Sequence, residues 1–374
     1  MKNLILFYLL LFAHCSTLKT SQLPQKDALI FVGTYTQKLG HVDGKATGIY
    51  TCRFDATTGD LTVIDSMTNI VNPSFLTISP DKKYVYAVGE NGGKPEKPFG
   101  EVVAYKITEG GKLLKINELP SYGVAPCHIS TDRNGKFVFV ANYATGNVVS
   151  YGVRADGGLT DSISMVQHTG KSPWAHNIQP SVDNKNVFAV DKGADKIFVY
   201  NLSENGKLSL QNSISTAPNA GSRHMDFNPK NPLQFVAINE NSSAMGSYSY
   251  DDKTLKINLL DSVSTLPKDF KGNNSCADVH FHPNGKFVYG TNRGHNSLVI
   301  YNFDAATGKL TVVGHTPTQG AIPRNFLISP DGKWLLVANQ NSNTVVSFKI
   351  DAETGLLTAG KTSVVMTPVC LKMM

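Results

Sequence analysis

Six times along this chain a proline or small residue opens an apolar strand, a tight polar turn follows, and a second apolar strand runs out to a polar residue. The copies read NPSFLTISPDKKYVYAVGE, APCHISTDRNGKFVFVANY, SPWAHNIQPSVDNKNVFAVDK, GSRHMDFNPKNPLQFVAINE, CADVHFHPNGKFVYGTNR and IPRNFLISPDGKWLLVANQ. They close at Glu90, Tyr143, Lys192, Glu240, Arg293 and Gln340, at intervals of 47 to 53 residues. A period of about 50 residues with two strands per copy marks a β-propeller.

Between these copies lie segments such as GIYTCRFDATTGDLTVID, KIFVYNLSENGKLSLQNSI and SLVIYNFDAATGKLTVVGH. Each gives an alternating strand, a turn with Gly or Asp, and a further strand that begins at Leu, which is the pattern of a hairpin. Each blade therefore has four antiparallel strands. A seventh copy is divided between the chain ends: TPVCLKM supplies an opening strand, with Pro368 in the slot of Pro73, Pro126, Pro173 and Pro323, and ALIFVGTY supplies its second strand. The expected fold is an all-β, seven-bladed propeller of 28 strands with essentially no helix, in which Pro368 to Lys372 pairs beside Leu29 to Thr34. Strands from both termini close the ring, since an open seam would leave unpaired edges.

The domain is expected over residues 28–374 as one unit, because blades stacked around one axis do not divide. Hydrophobic residues at 41% supply a core, and 32 Gly and 18 Pro suit its many turns. The net charge of +6 is spread without a basic cluster or stripe, so nucleic acid is excluded as a partner. Residues 1–15 carry Lys2 and then the apolar run Leu4 to Ala13, the length of a secretory signal core and short for a membrane span. Leu-Phe-Ala-His-Cys, ending at Cys15, is similar to a loose lipobox, with an atypical His before the cysteine. The protein is thus expected to be exported, either periplasmic or held to the membrane by a lipid on Cys15, with residues 16–27 as a flexible tether.

Cys52, Cys127, Cys276 and Cys370 are widely spaced and are expected to be buried free thiols. No metal-ligand spacing occurs. His280 and His282, at i and i+2, are expected on one face of a strand as hydrogen-bonded residues rather than ligands. No cofactor is expected.

In each blade the tight turn lies on one face of the ring, so the start of the first strand and the end of the second share the opposite face. The turns are monotonous, with Pro-Asp-Lys, Pro-Asn-Gly and Pro-Asp-Gly. The opposite face varies sharply: strand starts carry His128, His176, Arg223, His224 and Arg324, and strand ends carry Glu90, Tyr143, Lys192, Glu240, Arg293 and Gln340. Function is expected where the repeat varies.

The segments PWAH, SRHMDF with INEN, TNRG, IPRNFLIS with VANQ, and FVGTYT with GIY resemble the seven-bladed β-propeller lactonase family, which includes bacterial 6-phosphogluconolactonases and the fungal carboxy-cis,cis-muconate cyclase. The resemblance spans about Leu29 to Lys372. It implies a catalytic set of His176, Arg223, Glu240 and Arg293, with two departures: Trp174 stands where the family has a first His, and Asn241 where it has Leu. His128, His224, Arg324, Glu90 and Gln340 are expected to bind substrate. Lactone opening needs a water deprotonated, an oxyanion stabilised and an alkoxide protonated. Glu240 is the expected base, His176 exchanges a proton near neutral pH, and Arg223 and Arg293 bind a carboxylate or phosphate. Glu240→Gln is then expected to remove the base with little loss of fold. The partner is a small-molecule lactone or carboxylic acid. Alternatives are a lactonising cycloisomerase, or a propeller that binds a partner on one face without catalysis. There is no G-x-S-x-G, P-loop or H-E-x-x-H segment.

Overall fold

The computed structural model describes residues 27–374. The proposed signal at 1–15, Cys15 and nearly all of the tether lie outside the described residues; Asp27, assigned to the tether, is instead the first residue of a strand, Asp27–Thr34. Seven antiparallel sheets of four strands form the ring, as the repeat requires, and in six of them the strands lie in simple sequence order. The seventh joins the termini. Its innermost strand, Pro368–Met373, pairs with Asp27–Thr34 through Ile30↔Met373 and Thr34↔Pro368. Two short strands not foreseen, Lys38–Leu39 and Val42–Asp43, make a hairpin beyond the blades. The one helical turn among the described residues is a 3-10 segment at Glu109–Gly111.

Apolar side chains interdigitate between neighbouring blades. Phe188 of one blade packs edge-on against Phe227 and Phe235 of the next, with ring centroids 5.2 and 5.6 Å apart. At the seam, Trp334 meets Phe54 edge-on at 5.7 Å and donates its indole N–H to the Ala56 carbonyl. Each buried aromatic of this kind contributes about 1.5–3 kcal/mol. On the turn face, Ser79, Ser181 and Ser329 each donate to the Asp two residues on at 2.6 Å, which rigidifies the tight turns.

One irregularity repeats in a way that prepares the site. In six blades the ladder between the innermost and second strands slips at the start of the innermost strand. The slips skip Val369, Cys127, His176, Arg223, the pair Ala277 and Asp278, and Arg324 respectively. A bulge frees a side chain from the in-out alternation of its strand and re-aims it. Here the freed residues encircle the channel.

The four cysteines are buried and free. His280 and His282 do not act as a pair on one face: His282 falls just past the strand Ser275–Phe281 and its Nε2 lies 2.9 Å from the Gly332 carbonyl of the next blade, whereas His280 lies between Asp278 and Asp226. Among the described residues no three His, Cys, Asp or Glu side chains form a metal-ligand group.

Candidate active site

The face predicted to vary opens into a pocket of about 510 Å³ lined by Glu90, Cys127, Tyr143, His176, Lys192, Arg223, Glu240, Arg293 and Arg324, with Leu39 and His41 of the extra hairpin above. The bulges supply Cys127, His176, Arg223 and Arg324. Ends of second strands supply the rest. All four expected catalytic residues, with Glu90 and Arg324, therefore face one cavity.

Glu240 is its electrostatic centre. Its Oε2 lies 2.9 Å from Arg223 Nε and 2.9 Å from Arg293 Nη2, and its Oε1 accepts from Lys192 Nζ at 2.7 Å. Burial alone would raise its pKa, but Arg293, Arg223 and Lys192 together hold the carboxyl down at about 2. So strongly held a carboxylate is a poor proton acceptor, which displaces Glu240 from the role of base. Arg293 is itself anchored, donating through Nη2 to the Cys276 carbonyl at 2.8 Å.

His176 sits beside this cluster, with Tyr143 edge-on at 5.6 Å. Burial, then the charges of Arg223, His224 and Arg324, push it well below the ordinary imidazole range. It is neutral at pH 7 rather than poised between states. Its Nδ1 is buried without a hydrogen-bond partner among the described residues.

Across the pocket, Arg324 Nη2 donates to Tyr35 Oη at 2.9 Å, and Tyr35 donates to Glu90 Oε2 at 2.9 Å. Gln340 does not reach the cavity: its Oε1 backs Arg324 Nη1 at 3.5 Å. His128 and His224 are absent from the lining too, because each rejoins the ladder one residue after a bulge and so turns down the channel. His128 stacks on Phe75 at 4.2 Å and lies 2.9 Å from Asn177 Nδ2. Gln340 thus stands behind this cavity, while His128 and His224 face a second cavity of about 230 Å³ further down the channel.

Lys192 and Tyr143, placed on this face by the repeat, were given no role in the site, and Tyr35 was not foreseen. The first two stand at strand ends in the repeat, so the signal was there; Tyr35 lies in FVGTYT without any mark of its role. Trp174 stacks on Tyr143 at 5.7 Å and is 39% exposed at the rim. No Ser lines the pocket, and four cations face two carboxylates in the lining.

A cation-rich pocket with a neutral imidazole and bound carboxylates on a propeller suits a substrate that carries or develops negative charge. A family model described as lactonase, 7-bladed beta-propeller, matches residues 29–373, and the chain belongs to that family. A 6-phosphogluconolactonase of Bacillus subtilis is 32% identical over 79% of this chain and 84% of its own length. One of Formosa agariphila is 35% identical over 80% of this chain and 86% of its own. The solved structure of a periplasmic gluconolactonase from Pseudomonas aeruginosa superposes with a TM-score of 0.84 at 29% identity, covering 93% of this chain and 99% of that one. These relatives favour an enzyme that hydrolyses lactones over the cycloisomerase and the non-catalytic propeller.

Proposed function

We propose that the protein hydrolyses a free sugar-acid lactone without a cofactor, with His176 as the base and Arg223 and Arg293 as the oxyanion partners. The observation that carries this reading is the Glu240 cluster: one carboxylate holds two arginines and a lysine beside a neutral imidazole. Water adds to the lactone carbonyl as His176 takes its proton. The oxyanion forms beside the two guanidinium groups, where charge-assisted hydrogen bonds are strongest. The ring C–O bond then breaks, and the alkoxide takes the proton back from the imidazolium, leaving a carboxylic acid and a hydroxyl; the acid releases its own proton to solvent and leaves as the carboxylate. Negative charge in the pocket favours the imidazolium, so the basicity of His176 rises as the oxyanion develops. The excess of two cations over carboxylates also suits the product anion.

Export completes the reading. Lys2 with the run Leu4 to Ala13, and the periplasmic setting of the Pseudomonas relative, support a signal peptide and a periplasmic or Cys15-anchored protein. The substrate is then an unphosphorylated lactone outside the inner membrane. Acid release from paired free and phosphorylated aldonolactones at neutral pH tests the proposal. Faster turnover of the free forms is expected; preference for the phosphorylated forms overturns the substrate, and turnover of neither overturns the activity. Fractionation with and without globomycin separates anchored from soluble protein.

A further inference from the structure

Below the pocket, two buried residues from adjacent blades make a contact that the hydrolytic steps above do not use. Asp278 belongs to the two-residue bulge between ladder partners Cys276 and Val279. Its Oδ1 lies 2.7 Å from Nδ1 of His224. Its Oδ2 accepts from the Asn325 side chain and the Phe326 N–H at 3.2 Å, and lies 3.1 Å from His280 Nε2. A carboxylate so anchored has one orientation to offer.

Asp278 is ionised: burial opposes this, but His280 and the hydrogen bond from His224 hold it well below the usual carboxylate range. Burial and Arg223 push His224 down to about 4 in spite of Asp278, so its ring carries a single proton. That proton belongs on Nδ1, facing the carboxylate, which leaves Nε2 as an acceptor. Nε2 lies 3.4 Å from Arg223 Nη1, and the same Nη1 donates to the Ala277 carbonyl at 2.6 Å. Arg223 Nε faces Glu240. That 2.9 Å contact is an ion pair without hydrogen-bond geometry, so Nε is held by charge alone; Nη2 makes no hydrogen bond to a described residue and is the nitrogen left for a ligand.

We infer that Asp278 and His224 are positioning residues, which fix the rotation of the Arg223 guanidinium so that Nη2 is presented to the lactone oxyanion. The inference rests on the lactonase reading of the pocket. The physical need is clear: a donor stabilises a transition state only if it is already oriented when charge develops. A guanidinium held by Glu240 at one nitrogen could still swing, and the acceptors at Nη1 prevent this. Those acceptors, the His224 ring and the Ala277 carbonyl, come from the innermost strands of two blades, and Asp278 joins them.

Two substitutions of one residue separate orientation from packing. In His224→Asn the amide nitrogen keeps a donor near the Nδ1 position and the acceptor toward Arg223 is lost. In His224→Gln the amide oxygen reaches the Nε2 position and restores that acceptor. His224→Asn is expected to lower kcat about 10–100-fold with little change in KM, and His224→Gln to recover most of that loss at an equal or lower melting temperature. Equal losses in both variants, or losses that track their melting temperatures, overturn the inference. Should His224→Asn not fold, Asp278→Asn releases the tautomer and is expected to show the same fall in kcat. Crystal structures of the variants decide the geometry without turnover: Arg223 displaced from the Ala277 carbonyl in His224→Asn and retained in His224→Gln supports positioning, and an unmoved Arg223 in His224→Asn refutes it. A wild-type protein that opens no lactone defeats the functional reading alone.

Discussion

Arg223 and Glu240 face each other at the top of one blade, Nε to Oε2 at 2.9 Å, one from a bulge in the innermost strand and the other just past the second strand. Because Glu240 also holds Arg293 and Lys192, it is the counter-ion of the site, and its removal leaves three cations partly buried together. Breaking such a cluster costs about 3–5 kcal/mol. Glu240→Gln is therefore expected to lower stability by that order as well as activity, contrary to the mild effect on folding that the residue's role as a base would give. Denaturant unfolding of the variant measures it; a midpoint within error of wild type contradicts the counter-ion role.

The pH profile discriminates between the two candidate bases. His176 acts in its neutral form, and its pKa lies well below 6.5. The neutral fraction, and with it kcat/KM, stays level as pH falls from 7 past 6.5 and declines only at lower pH. His176→Gln is expected to remove that acid limb along with about 10²–10⁴-fold of the rate. A limb centred at or above 6.5 would show that another group titrates.

His280 makes a separate demand on stability. Although burial opposes its charge, Asp278 and Asp226 raise it to about 10. A folded pKa above the unfolded value gives stability that is complete below pH 6.5 and is lost as pH rises through 10. At about 1.4 kcal/mol per unit, the loss reaches a few kcal/mol. Unfolding midpoints between pH 6.5 and 10 should fall more steeply for wild type than for His280→Gln, and parallel slopes would contradict the charged pairing.

Removal of residues 368–374 takes away the innermost strand of the closing blade and exposes the edge of Asp27–Thr34. The truncated chain is expected to melt far below wild type or to aggregate through that edge. An unchanged melting temperature would mean that closure contributes nothing.

At the rim, the stacked rings of Trp174 and Tyr143 offer a flat surface to any group that extends from the lactone. Aromatic stacking contributes about 0.5–1.5 kcal/mol. Trp174→Ala is thus expected to raise KM about 2–10-fold for lactones that carry a second ring, and less for single-ring lactones. Equal effects on both would remove Trp174 from substrate selection.

What the sequence by itself determined was the architecture and the face. Alternation of period two, turn residues at fixed places and a repeat of about 50 residues are local properties, so blade number, closure by Pro368 to Lys372 and the shared face of His176, Arg223, Glu240 and Arg293 were legible in the sequence. Tertiary structure decided the rest. A slip of one residue at the start of an innermost strand turns Arg223 into the pocket and His224 beneath it, and no feature of the string SRH marks that slip. Lys192 and Glu240 meet only because consecutive blades bring their strand ends together. The protonation of Glu240, His176 and Asp278 follows from burial and from charges on other blades, which interact through space and leave no local pattern in the chain.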